Sequence, residues 1–122
     1  MMEDELINVL ETFGFPVMRQ GSLAEDAEYP DTFFTFWNNS EDGDSFYDNQ
    51  TIKTLHDFSV NVYSTDPDMT YSLLRQARDL LKINGWVPIR MGYDIASDEI
   101  THTGRGMEVT YIKFKQEEEN NG

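Results

Sequence analysis

One stretch, Thr54 to Gly85, limits what this chain can fold into more than any other. It begins as a strand. Phe58, Val60 and Val62 alternate with Asp57, Ser59 and Asn61, so one face is apolar and the other polar, and Tyr63 falls on the polar side. Asp66-Pro67-Asp68 then starts a helix. Asp66 suits the N-cap, Pro67 the first helical position, and Asp68 the positive end of the helix dipole. Met69, Leu73, Leu74, Ala77, Leu80 and Leu81 recur at helical spacing as a core-facing stripe, with Arg75, Arg78, Asp79 and Lys82 off it. Asn84-Gly85 is a helix stop. An isolated amphipathic helix is marginal in water, so the stripe needs a sheet to cover, and the preceding strand supplies one.

The rest of the chain adds elements around that unit. Glu3 to Phe13 reads as a short helix with Leu6, Ile7, Leu10 and Phe13 on one side, closed by Gly14. Phe15-Pro16-Val17-Met18 reads as extended and as a short edge strand. Gly21 to Tyr29 reads as a polar loop. From Asp31 to Trp37, Thr32, Phe34 and Phe36 alternate with Phe33, Thr35 and Trp37, so both faces carry aromatic rings. Such a strand is either covered on both sides or feeds a subunit interface. Asn38 to Gln50 is polar and reads as a long exposed loop or arm, with Phe46-Tyr47 placed to pin it or touch a partner. Trp86 to Met91 is a short strand with an edge position at Pro88, and Asp94 to Glu99 a loop. In the last strand, Met107 to Lys115, the residues Met107, Val109 and Tyr111 oppose Ile112 and Phe114.

The expected fold class is therefore α+β. It has a mixed, mainly antiparallel sheet of about four to five strands. A short N-terminal helix and one long central helix pack on one face. Residues 1–115 make a single domain, and 116–122 an acidic tail expected to be disordered. The opposite face, only partly apolar, is the natural place for self-association. The candidate interface residues are Phe33, Thr35, Trp37, Phe46, Tyr47 and Tyr63.

Composition narrows the function. The formal net charge of -14 argues against a broad nucleic-acid footprint, which needs positive surface. Up to Asp48 there are twelve acidic residues against Arg19 alone, fitting either one face of an assembly or solvated loops. There is no cysteine, no apolar run of membrane length and an acidic start, Met1-Met2-Glu3-Asp4-Glu5, so a cytoplasmic product without a membrane partner is expected.

Chemistry is hard to find. His56 and His102 are the only histidines and neither has a metal-ligand spacing. His56 shares a strand face with Phe58. The run Thr101-His102-Thr103-Gly104-Arg105 suits an anion but lacks the spacing of a phosphate-binding glycine loop. Asp42-Gly43-Asp44 invites a calcium reading, yet with Gly43 sixth the loop would begin at Asn38 and end at Asn49, where a glutamate is required. No Gly-x-Ser-x-Gly is present. Neither an enzyme nor a cofactor is expected.

Taken together, the residue order resembles the tail terminators of long-tailed bacteriophages and prophages. These minor tail components are also described as tail completion or tail-to-head joining proteins. The resemblance rests on the Leu6, Leu10 and Phe13 helix, Phe15-Pro16-Val17, the strand from Pro30 to Trp37 and Tyr47-Asp48-Asn49-Gln50 before a strand. It rests most on Phe58 to Ser64 leading to a Leu-rich helix that closes at Asn84-Gly85-Trp86, and on Thr103-Gly104-Arg105-Gly106-Met107 into the last strand. Trp86 stands where the family usually has phenylalanine. The match runs from about residue 3 to 115 as order and spacing, without a single specific motif.

The resemblance implies a structural virion protein without shared catalytic residues. It would self-associate, commonly as a hexameric ring, on the head-proximal end of the tail tube. There it would stop tube polymerisation and offer a surface to the head connector, with DNA only as passing cargo. Its partners would be tail-tube protein and head–tail connector protein, and its place the virion, after synthesis in the bacterial host cytoplasm. Rival readings are a head-completion or neck protein that binds portal or adaptor, and a small dimeric bacterial binding or regulatory module.

Overall fold

The computed structural model describes residues 2–22, 28–45 and 51–114. The elements run α1 (Met2–Glu11), β1 (Val17–Arg19), β2 (Thr32–Ser45), β3 (Thr51–Ser64), α2 (Pro67–Ile83), β4 (Val87–Ile95) and β5 (Thr103–Phe114). One five-stranded sheet has the order β1-β2-β3-β5-β4. β1 lies parallel to β2, and every other pairing is antiparallel. Both helices pack on the same face, so the expected α+β architecture is the one found.

Period-two patterning decides which residues meet the helices. Phe34 pairs with Val62 and Phe36 with Val60, while Val60 also pairs with Met107 and Phe58 with Val109. These side chains, with Leu6, Leu10, Leu73, Leu74, Ala77 and Leu81, form one buried cluster. Each fully buried side chain of this size contributes about 1.5–3 kcal/mol. Phe58 meets Trp86 edge-to-face at 5.7 Å, and Trp86 meets Tyr111 the same way at 5.3 Å.

The ends of α2 follow from its sequence. Asp66 caps it, its side chain accepting from the Asp68 backbone N–H at 3.0 Å. Such a cap is worth about 1 kcal/mol over alanine. At the other end Gly85 sits at φ 93. Its N–H donates to the Lys82 carbonyl at 3.1 Å, and that of Trp86 to Leu81 at 2.9 Å. This paired closure satisfies carbonyls that the helix end leaves open, and it turns Trp86 inward over Leu81.

Three expectations are corrected. Asn38 to Ser45 is not a loop: β2 continues through it, paired with β3 as far as Ser45 opposite Thr51. A register shift between Asn38 and Ser40 absorbs one residue. This also removes the calcium-loop reading, which needs a helix–loop–helix. The strand expected at Trp86 to Met91 extends to Ile95, so Asp94 and Ile95 are strand rather than loop. Two shifts, between Pro88 and Arg90 and between Arg90 and Tyr93, break its alternation and hid its length. The last strand begins four residues early, at Thr103. Pro88 does lie on an edge strand, and Val17 to Arg19 is the other edge. The expected acidic tail at 116–122 and most of the polar loop, 23–27, lie outside the described residues.

Candidate assembly surface

Away from the helices the sheet presents its second face. Phe33 pairs with Tyr63, Thr35 with Asn61 and Trp37 with Ser59, so four of the candidate interface residues share that face. Phe46 and Tyr47 lie outside the described residues.

The four are not equivalent. Phe33 and Tyr63 stack on each other, with ring centroids 5.3 Å apart and planes 22° apart. Tyr29 meets the edge of that pair at 5.7 Å, and His102 lies 6.0 Å from Phe33. Phe33, Thr35 and Tyr63 are consequently buried within the chain itself, whereas Trp37 is 51% exposed. The difference has a topological cause. β1 covers β2 only opposite Phe34, Thr35 and Phe36, and the last bond on that side runs from the Gln20 N–H to the Phe36 carbonyl. From Trp37 onward β2 is itself the sheet edge.

A polar chain runs behind the rings. Asn61 Nδ2 donates to Thr35 Oγ1 at 3.2 Å, and Thr35 Oγ1 donates to Gln20 Oε1 at 2.6 Å. The Tyr63 phenol is pushed up by burial, against a hydrogen bond from the Gln20 side chain, and the nearby Asp98 and Tyr29 push it further. Tyr63 therefore stays un-ionised at neutral pH and acts as a hydrogen-bonding group rather than a base. Gln20, Thr35 and Tyr63 wall a cleft of about 420 Å³ together with Met18, Tyr29 and Asp98.

Two glycines make this packing possible. Gly104 and Gly106 lie in β5 beneath side chains from both neighbouring strands. A Cβ on Gly104 would stand 2.8 Å from both Ile95 Cγ1 and Tyr63 Cε1, and one on Gly106 would collide with Asn61 Oδ1. The Gly-Arg-Gly run is thus explained by close packing, without a bound anion.

His102 is held by the chain. His102 Nε2 lies 2.8 Å from the Pro30 carbonyl and Nδ1 2.8 Å from Thr101 Oγ1. A carbonyl only accepts, so Nε2 carries the proton and, in the neutral ring, Nδ1 accepts from the hydroxyl. Neither nitrogen is left for an anion. His56 does share the Phe58 face, buried, with Nδ1 3.6 Å from Glu41 Oε1. Among the described residues no group of three or more His, Asp or Glu is placed to hold a metal ion.

Sequence reasoning placed the first half of β4 but not its exposed side chains. Val87, Ile89 and Met91 are 50%, 56% and 58% exposed, in succession along that edge strand. Apolar residues at every second position were visible, but nothing in the sequence says whether an edge strand's side chains are covered. Among the described residues no helix is long and apolar enough to cross a membrane. Neither a protein-family model nor a curated protein matches the chain.

Proposed function

We propose that this chain is a structural virion protein of a long-tailed phage or prophage. It caps the head-proximal end of the tail tube as a ring, ends tube polymerisation and offers a docking surface to the head connector. The resemblance in residue order from about residue 3 to 115 supports the reading. The observation that carries it beyond resemblance is Trp37, a half-exposed indole where the edge of β2 opens. Tryptophan is enriched in the buried cores and hot spots of protein interfaces. The role needs no cofactor and no catalytic group. The charge of -14 suits a channel through which DNA passes without adhering. A neck protein that binds portal or adaptor is the nearest rival, separated by whether tube protein or portal is bound.

Truncating the anchor tests the reading. Trp37→Ala is expected to weaken self-association by about 2 kcal/mol, roughly thirtyfold, while the fold persists because the indole lies outside the core. Sedimentation velocity over a concentration series reads this directly. An unchanged oligomer at unchanged concentration would remove Trp37 from the interface.

One observation favours a second reading. The 420 Å³ cleft brings Gln20, Thr35 and Tyr63 together, as a small dimeric binding module requires. A stable dimer, indifferent to tube protein, would be its signature.

A further inference from the structure

The two edges of the sheet differ in charge as well as in apolar content. On α2, Tyr71, Arg75, Arg78 and Lys82 follow one another at helical spacing along one flank. That flank faces β4. Arg78 Nη1 reaches to 3.5 Å of the Met91 carbonyl, and Tyr71 carries on its ring, at 4.1 Å, the Arg105 guanidinium that pairs with Asp94 of β4. In a strongly acidic chain, α2 and β4 together hold four basic residues against three acidic ones. β4, the strand this flank faces, carries the exposed Val87, Ile89 and Met91, with Val87 on the sheet face away from the helices.

The opposite side is built the other way. α1 contains no basic residue, and its outward positions include the exposed Glu5 and Glu11. Glu11 ends the helix, where a negative charge meets the negative end of the dipole and no basic residue of the last turn offsets it. On the free edge of β2 stand Trp37, on the sheet face away from the helices, and the exposed Glu41.

We infer that two copies of this chain join head to tail, the basic, apolar α2/β4 edge of one seated on the acidic α1/β2 edge of the next. The inference rests on the ring reading and names the two surfaces that close it. Trp37 meets the Val87-Ile89-Met91 row, and Arg75 and Lys82 meet the acids of α1. A two-fold contact through β4 would instead set basic flank against basic flank. Complementary, unlike surfaces give a heterologous contact, which generates a ring when the rotation closes. The contact is made by side chains and not by strand addition, because Pro88 and two register shifts interrupt the outer edge of β4.

Charge reversal at exposed positions tests this. One variant carries Arg75→Glu and Lys82→Glu, the other Glu5→Lys and Glu11→Lys. Each alone is expected to lose assembly by on the order of tenfold or more at low salt, as like charges then face each other. An equimolar mixture is expected to regain a ring of wild-type mass, since each reversed edge now matches the other variant's reversed edge. Both variants remain net acidic, so bulk charge does not draw them together. Mass is read by light scattering with tail-tube protein present and absent, and far-UV circular dichroism confirms the fold. A variant that assembles alone like the wild type, or two folded variants that fail to rescue each other, overturns the edge assignment and leaves the ring standing. A wild type that remains monomeric even with tube protein overturns the ring itself.

Discussion

Replacing Phe58 with alanine is expected to lower stability by about 3–5 kcal/mol, the largest effect of any single truncation in this chain. Phe58 is fully buried near the middle of β3, flanked by β2 and β5 and covered by the helix layer. Its ring supports Trp86 at 5.7 Å, and Trp86 in turn is fixed by the closure of α2. The cavity therefore opens where the sheet, the helix end and the β4 turn meet, and the rigid elements around it cannot collapse to fill it. Domains of this size are stable by about 5–15 kcal/mol, so much of the total is removed. Thermal unfolding should fall by on the order of 10 °C. A melt within a few degrees of the wild type would show that the core repacks around the gap.

Gly104→Ala is the second large expected loss, about 1–3 kcal/mol from a single added methyl. Alanine in a strand is ordinarily harmless or better than glycine. Here the new Cβ would stand 2.8 Å from Tyr63 on one side and 2.8 Å from Ile95 on the other. Tyr63 has little room to retreat, because its ring is stacked on Phe33, which Tyr29 and His102 brace in turn. The cause can be isolated with a double-mutant cycle. In a Tyr63→Ala background the same Gly104→Ala change should cost clearly less, since half of the clash is gone. Equal costs in both backgrounds would place the strain elsewhere in β5.

Much of this fold was legible because several local signals agreed. For α2, the cap at Asp66, Pro67, the apolar stripe and Asn84-Gly85 all point to the same boundaries, and the helix runs Pro67–Ile83. The strand face of Phe58, Val60 and Val62 is the face the helices cover. What escaped had physical reasons. Asn38 to Ser45 is strand, yet its residues are those of a loop: backbone pairing with β3 makes the strand, and no alternation of apolar residues marks it. β4 lost its period at two register shifts. The surface was half legible. Phe33 and Trp37 read alike in sequence, as aromatics on one strand face. Only the stopping of β1 at Arg19 and the stacking of Tyr63 on Phe33 separate a buried wall from an exposed indole. The exposure of Val87, Ile89 and Met91 could not be read, because an edge position at Pro88 does not say which side chains are covered.

The measurement that bears most directly on the assembly role is the mass of the purified chain by light scattering, alone and then with tail-tube protein from the same genome. A ring of several copies, commonly six in the family the chain resembles, is expected either free in solution or when tube protein is added. A stable dimer whose mass does not change with tube protein would contradict it.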